Sequence, residues 1–234
     1  KYLLKVKPSV TDGSALVTGI LLAFNVPANL PWWIIVIGAV AAIGIGKMSF
    51  GGLGTNIFNP ALVGRVFLLI SFPVQMTSWP VTRQSTVDAT TSATPLGIIK
   101  EAITSGTPVA EVRQKLPEAA DMLLGHIGGS LGEVSALVFV MGGLYMLFKK
   151  VITWHIPVSV IVTVALIAAI FRMADPQTYV NPAYHILSGG LMLGAIYMAT
   201  DMVSSPMTPK GQIIYGTGIG IITISIRLFG AYPE

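Results

Sequence analysis

Residues 152–172 read ITWHIPVSVIVTVALIAAIFR, and this stretch decides how the rest of the chain must be interpreted. It is almost entirely apolar and reaches a charged side chain only at Arg172. A helix of about 20 apolar residues is long enough to cross the hydrocarbon core of a bilayer. The stretch therefore predicts a transmembrane helix.

The composition extends this interpretation to the whole chain. Of the 234 residues, 53% are hydrophobic and only 10% are charged, whereas a soluble domain carries about 25% charged residues. The chain therefore lacks the polar residues to cover a soluble fold, and we expect an all-α integral membrane protein. The further predicted spans are residues 13–24, 31–46, 59–72, 132–148, 185–200 and 212–229. The first and third of the seven spans are short and flanked by polar residues, Gly or Pro, which is typical of broken or re-entrant helices.

Several function classes are excluded by the same composition. The net charge is +4, and the basic residues do not cluster with aromatic residues, so nucleic-acid binding is not expected. The chain has no Cys, which excludes disulfides and cysteine-ligated iron–sulfur clusters within it. Its three histidines are scattered, so we assign no metal. The glycines at 216–220 lie within a predicted span and favour close helix packing over dinucleotide binding.

Lysine and arginine positions predict the orientation. With the N-terminal lysines in the cytoplasm, alternating spans place Lys47, Lys149, Lys150 and Lys210 there too. The long polar segment 73–131 then lies outside the cytoplasm, and its residues 109–124 are expected to form a surface helix. The opposite, outer side also receives Arg172 and Arg227. We expect a first membrane repeat over 1–72, the outer segment over 73–131 and a second repeat over 132–234, with further helices missing at both ends.

Two pairs of short sequences indicate an internal repeat. DGSALV at 12–17 resembles EVSALV at 133–138, and Asn59-Pro-Ala matches Asn181-Pro-Ala, at offsets of 121 and 122 positions. Three predicted spans separate the copies, so the copies enter the membrane from opposite sides. An inverted repeat of this kind places a binding site or pathway near the bilayer midplane.

The outer segment contains a Ser/Thr-rich stretch that leads into a helix. Thr94 suits the N-cap and Pro95 suits the first turn. A helix N-terminus also favours phosphate, but local physics alone supports a plain cap and does not require a modified hydroxyl.

Three blocks of sequence together resemble one family. They are GGLGTNIFNPA at 51–61, DATTSATPL at 88–96 and SGGLMLGAIYMATD at 188–201. They are similar to the NqrB/RnfD family, and more to its branch in Rnf ion-translocating ferredoxin:NAD oxidoreductases than to its branch in sodium-pumping NADH:quinone reductases. The resemblance covers the whole chain. It implies an inverted-repeat helical core similar to ammonium and urea transporters.

The resemblance also implies a covalent flavin. In this family FMN is bound through its phosphate to the last Thr of a Ser/Thr-Gly-Ala-Thr-type motif, which here corresponds to Thr91, Ser92, Ala93 and Thr94. Thr94 is then the acceptor, with Thr90 and Thr91 as fallbacks, and Ser92 departs from the usual Gly. Asp88 is expected to assist attachment or the local turn.

Asn56 and Asn59 lie three residues apart before the third span. Asn56 suits a turn and Asn59 suits a helix cap ahead of Pro60. The resemblance adds a second role for both, contact with a non-covalent riboflavin. Arg65 lies inside this span and needs an anionic partner: a flavin phosphate, a carboxylate or helix carbonyls.

Three acids form the last group of candidate residues. Asp12 and Glu133 occupy equivalent repeat positions, and Asp201 ends a Gly-rich span. Charged groups at membrane depth are costly and usually functional, so these acids are candidates for the cation path. Each also suits a helix cap or a lysine partner.

The resemblance implies an electron-transfer subunit of an Rnf-type Na⁺ or H⁺ pump in the inner membrane of a prokaryote, and the lysine and arginine positions put its flavin on the extracytoplasmic side. No residue is predicted to be catalytic. The resemblance implies the other Rnf subunits (types A, B, C, E and G) and a flavin transferase as partners. The alternatives are a component of sodium-pumping NADH:quinone reductase and a plain ammonium/urea-type channel without flavin.

Overall fold

The computed structural model describes residues 12–79, 94–113, 116–125, 127, 129–130, 132 and 135–230. These residues form helices joined by turns, with no β-strand among them. The chain divides into two compact units, Lys1–Ser78 and Trp79–Glu234.

The described residues of the first unit form four α-helices, α1 (Ser14–Phe24), α2 (Trp32–Val40), α3 (Pro60–Ser71) and α4 (Pro73–Met76), and a 3₁₀ helix over Met48–Phe50. Helix α2 continues as a π-helix over Ala41–Ile45. Glycines bring α2 and α3 close together, since a Cβ on Gly38 would lie 2.4 Å from Leu68 Cδ1 and a Cβ on Gly64 would lie 2.9 Å from the Gly38 carbonyl oxygen. Small residues allow this kind of backbone approach in membrane helices.

The second unit contains α5 (Pro95–Ser105), α6 (Val109–Val112), α7 (Ala119–Leu124), α8 (Ala136–Phe148), α9 (His155–Ala174), α10 (Pro182–Leu187), α11 (Leu191–Leu193) and α12 (Pro209–Phe229). Helix α11 continues as a π-helix over Gly194–Met198. Helices α9 and α12 pack along each other. A Cβ on Gly216 would lie 1.9 Å from Ser159 Oγ, and one on Gly220 would lie 2.7 Å from Thr163 Cβ. The prediction of close packing at 216–220 is therefore confirmed.

Each of the seven predicted hydrophobic segments contains helix among its described residues, although the sixth is interrupted. Among the described residues, three helices are long and apolar enough to cross a bilayer: Trp32–Phe50, His155–Ala174 and Pro209–Phe229. Helices α1, α3 and α8 are apolar but span only 11, 12 and 13 residues. This all-helical, multi-pass pattern is that of an integral membrane protein.

The first and third spans are short, as predicted, since α1 and α3 have only 11 and 12 residues. A further interruption was not predicted: it lies in the sixth span, where α10 ends at Leu187 and the chain turns through Ser188, Gly189 and Gly190. Gly189 has φ +68°, a left-handed conformation that a helix cannot contain. The surface helix predicted over 109–124 is instead two short helices, α6 and α7. Pro117 lies between them and disfavours helical geometry at the residue before it.

The two copies of Asn-Pro-Ala adopt the same local structure. Asn59 and Asn181 both have extended backbones and both cap the helix that follows, with Pro at its first position. Asn59 Oδ1 accepts from Ala61 N at 3.0 Å, and Asn181 Oδ1 accepts from Ala183 N at 3.1 Å. The repeated sequence therefore encodes a repeated cap. The inverted relation of the copies, and the likeness to ammonium and urea transporters, stay predictions.

Candidate functional site

Thr94 caps α5 as the sequence predicts. Its backbone is extended, and its Oγ accepts a hydrogen bond from Gly97 N at 3.1 Å. Pro95 occupies the first helical position, where its missing N–H leaves no helical bond unmade. The Thr94 side chain is buried, with 5% of its surface exposed.

The same cap occurs a second time in the chain. Thr208 accepts from Gly211 N at 3.2 Å, again with Pro at the first helical position. Thr208 is exposed, whereas Thr94 is buried. The Thr-Pro-x-Gly cap is thus a general way to begin a helix, and any special property of Thr94 must come from its surroundings.

Those surroundings are the interrupted sixth span and the end of α12. A Cβ on Gly189 would lie 2.7 Å from Leu96 Cδ1 and 2.7 Å from Arg227 Nη2. Leu96 and Arg227 therefore both lie close to Gly189 and to each other. Lys100 Nζ also donates to the Leu228 carbonyl oxygen at 3.0 Å, which holds α5 against the end of α12.

Arg227 is buried at this junction, with 4% of its surface exposed. Its guanidinium donates to the His185 carbonyl oxygen and, at 3.1 Å, to the Ser188 carbonyl oxygen. The last carbonyls of a helix have no partner within the helix, so Arg227 closes the end of α10. Sequence reasoning counted Arg227 only as a charge on the outer side. The signal for a buried role was an arginine within an otherwise apolar span.

His185 lies on the same short helix and is also buried, with 2% of its surface exposed. Its Nδ1 has no hydrogen-bond partner among the described residues. This region thus combines the helix-capping hydroxyl of Thr94 with the buried guanidinium of Arg227 and the buried imidazole of His185. Of these, the sequence singled out only Thr94.

Asn56 and Asn59 both have the structural roles that the sequence predicts. Asn59 Oδ1 caps α3, and Asn56 Nδ2 donates to the Phe58 carbonyl oxygen at 3.0 Å. Both side chains are buried. Arg65 Nη1 donates to Asn25 Oδ1 at 2.8 Å, so an amide from the end of α1 contacts the guanidinium, and the sequence had not suggested this partner.

The described acids of the predicted ion path both stabilise local turns. Asp12 Oδ1 accepts from Ser14 N at 2.8 Å and from Ser14 Oγ at 2.5 Å. Lys47, which is buried, donates to the same Ser14 hydroxyl, so Ser14 connects Lys47 to Asp12. Asp201 accepts from Val203 N at 3.3 Å and from Ser204 Oγ at 3.1 Å. The sequence-predicted site residues Asp88, Thr91, Ser92, Ala93 and Glu133 lie outside the described residues.

Comparison with known proteins gives a consistent result. A family model described as the NQR2, RnfD, RnfE family matches residues 1–234. The chain is 48% identical to the D subunit of the Na⁺-translocating ferredoxin:NAD⁺ oxidoreductase complex of Acetobacterium woodii, covering 99% of this chain and 68% of that protein. It is 47% identical to the D subunit of the proton-translocating ferredoxin:NAD⁺ oxidoreductase complex of Clostridium ljungdahlii, covering 97% and 68%. It is 40% identical to the D subunit of the ion-translocating oxidoreductase complex of Stutzerimonas stutzeri, covering 95% and 69%.

Proposed function

The chain belongs to the NQR2, RnfD, RnfE family, and from that membership we propose that it is the flavin-bearing membrane subunit of an ion-translocating ferredoxin:NAD⁺ oxidoreductase. Its relatives are named as subunits of such complexes, so the chain is one component of a redox-driven translocase. In the proposed complex, electrons pass between ferredoxin and NAD⁺ while Na⁺ or H⁺ crosses the membrane. The part of this chain is to hold a flavin that relays those electrons.

The proposed flavin is FMN joined through its phosphate to the Thr94 hydroxyl. In the net balance, the phosphate monoester and the hydroxyl form a phosphodiester and water, and no electron is transferred. The phosphodiester carries one negative charge. Thr94 begins α5, and the N-terminus of a helix stabilises a nearby anion by about 0.3–1 kcal/mol through its dipole and first-turn N–H groups.

The observation that carries this proposal is the buried Arg227 beside the first turn of α5. Its side chain adds a positive charge next to Leu96, two residues from the proposed phosphoester. Thr208 has the same cap, but it is exposed. Gly189 also keeps open a space that a Cβ would fill. The surroundings of Thr94 therefore fit a phosphate-linked group better than those of Thr208.

The test is to measure what is attached to Thr94. The protein is produced together with a flavin transferase, and its intact mass and proteolytic peptides are recorded. We expect the mass of one FMN less one water on the peptide that contains Thr94, and flavin fluorescence in the denatured band. An unmodified Thr94 under these conditions would overturn the proposal.

We place a second flavin, riboflavin, beside Asn56 and Asn59. Each amide has one polar end bonded to the backbone, which fixes its orientation, and a second polar end of opposite hydrogen-bonding character. Amides held in this way can bond the edge of an isoalloxazine ring. Riboflavin extracted from purified protein should fall when Asn59 is replaced by Asp, which preserves the cap but not the amide donor.

The ion path is proposed to include Asp12, Glu133 and Asp201. The hydrogen bonds at Asp12 support this proposal. The Ser14 hydroxyl connects Asp12 to the buried Lys47, so the Lys47 ammonium and a passing cation would compete for the same polar groups. Replacement of each acid by its amide should reduce redox-coupled ion uptake into vesicles for at least one of them. Asp175→Asn is the control, because Asp175 is an exposed acid in the turn after α9. Unchanged uptake in all three variants would end this part of the proposal.

The proposed setting is the inner membrane of a prokaryote, with Thr94 on the extracytoplasmic side and the other Rnf subunits as partners. The relatives named for Na⁺ and for protons are 48% and 47% identical to this chain, so overall identity favours neither ion. The relatives named above are oxidoreductase subunits, and no observation on the described residues favours the ammonium/urea-type channel.

A further inference from the structure

A cavity of about 520 Å³ lies in the second unit, where α9 ends and α10 begins. Its volume is within the range of about 300–1,000 Å³ that is usual for small-molecule pockets. Its polar lining includes Arg113, Arg172, Glu118, Asn181 and Tyr184. None of the candidate flavin or ion-path residues that the structure describes lines it.

The length of α9 places the cavity at the level of the lipid headgroups when this helix spans a bilayer. Helix α9 has 20 residues, and at 1.5 Å per residue its length is about 30 Å, which is the thickness of the hydrocarbon core. Arg172 is in the last turn of this helix. A cationic side chain at such a helix end lies at the membrane–water interface.

The charges around the cavity are unbalanced. Arg113 and Arg172 are exposed and supply two positive charges, and Glu118 supplies one negative charge. No ion pair or hydrogen bond between described residues involves either guanidinium. The guanidinium group presents a planar fork of donors that matches a phosphate, and the excess of one positive charge matches the single negative charge of a phosphodiester.

The cavity and the adjoining helix surface also suit an apolar tail. Leu116, Met122 and Val180 form part of the cavity wall. Beside Arg172, the exposed side of α9 carries Leu166, Ile170 and Met173, whose exposed fractions are 59%, 58% and 75%. A ligand with its phosphate in the cavity could therefore lay an acyl chain along α9.

We propose that this cavity binds a phosphate-bearing anion, supplied by the headgroup of an anionic phospholipid. The two arginines hold the phosphate, and the acyl chains follow α9 into the bilayer. A soluble phosphate ester shares the headgroup chemistry but would not use the apolar surface of α9.

The test is a binding measurement on the purified complex that contains the full chain. The complex is delipidated in detergent and titrated with phosphatidylglycerol, and the bound lipid is counted by native mass spectrometry. Parallel titrations use phosphatidylcholine, which has no net charge, and glycerol 3-phosphate, which has no acyl chain. We expect saturable binding of phosphatidylglycerol and at least about tenfold weaker binding of the other two.

Variants connect the binding to the cavity. The double variant Arg113→Gln/Arg172→Gln should weaken phosphatidylglycerol binding by about tenfold or more per arginine, since a hydrogen bond to a charged group contributes this much. Arg113→Lys/Arg172→Lys should give an intermediate loss of phosphatidylglycerol affinity, because the positive charge is kept but the planar donor fork of the guanidinium is not. Lys210→Gln is the matched control. Lys210 is an exposed cation at the start of α12, which a bond of 2.7 Å between Thr153 Oγ and Gln212 Oε1 places at the other end of α9.

Unchanged lipid binding by the glutamine double variant would overturn the proposal, as would an equal loss in Lys210→Gln. Equal affinity for phosphatidylcholine would show that net charge is not recognised and would overturn it too. Glycerol 3-phosphate binding as tightly as phosphatidylglycerol would identify a soluble ester and exclude the lipid.

Discussion

Replacement of Thr94 by Val separates the two roles assigned to its hydroxyl. Val has nearly the same shape but offers no acceptor to Gly97 N and no oxygen for a phosphoester. Loss of a Thr cap costs about 1 kcal/mol, which lowers the unfolding midpoint of a chain of this size by roughly 2–4 °C. The same change should also remove all covalent FMN.

Thr208→Val is the matched control for the cap. Thr208 accepts from Gly211 N with a geometry like that of Thr94 and also precedes a Pro. It should lose the same stability, about 1 kcal/mol, and keep one FMN per chain. Thr94→Ser retains both the cap and a hydroxyl, so we expect it to keep the flavin.

The assay records FMN per chain by intact mass and the unfolding midpoint of the detergent-purified protein, both for all three variants. FMN retained in Thr94→Val would show that another residue, such as Thr90 or Thr91, is the acceptor. An equal loss of FMN in Thr208→Val would show that flavin attachment responds to cap loss in general, and the assignment to Thr94 would fall.

Three further predictions concern the residues around Gly189 and the hydrogen bonds that join Asp12, Ser14 and Lys47 in the first unit. Gly189→Ala should destabilise the protein by about 1–3 kcal/mol more than Gly106→Ala, because both have φ +68° but only the former meets side chains within 2.7 Å; equal unfolding midpoints would contradict this packing. Arg227→Gln should cost about 3 kcal/mol in thermal unfolding, since two carbonyl acceptors of a buried charged donor are lost, and a change below about 0.5 kcal/mol would mean that the guanidinium is not the closing group. Ser14→Ala should remove the hydroxyl that connects Lys47 to Asp12 and should change how redox-coupled ion uptake into vesicles depends on ion concentration. Identical uptake at every ion concentration would exclude a role for this connection.

The caps and spans of this protein are the features that its sequence determined. The apolar run at 152–172 becomes helix α9 because every backbone bond of a helix is local and a bilayer favours apolar side chains. Thr94, Asn59 and Asn181 cap their helices through bonds to groups two or three residues away. Local sequence contains both partners of such a bond, so these positions were predictable.

The junction beside Thr94 was decided by tertiary structure. Arg227 bonds carbonyls 39 and 42 residues earlier in the chain, and Lys100 bonds a carbonyl 128 residues later. Residues at such separations meet only when packing of whole helices brings them together, and no local pattern encodes that meeting. The sequence could therefore identify Thr94 as a candidate. Only the packing of the helices shows that Arg227 and Gly189 lie near Thr94, because the position of Gly189 depends on where the sixth span breaks and that of Arg227 on where α12 ends.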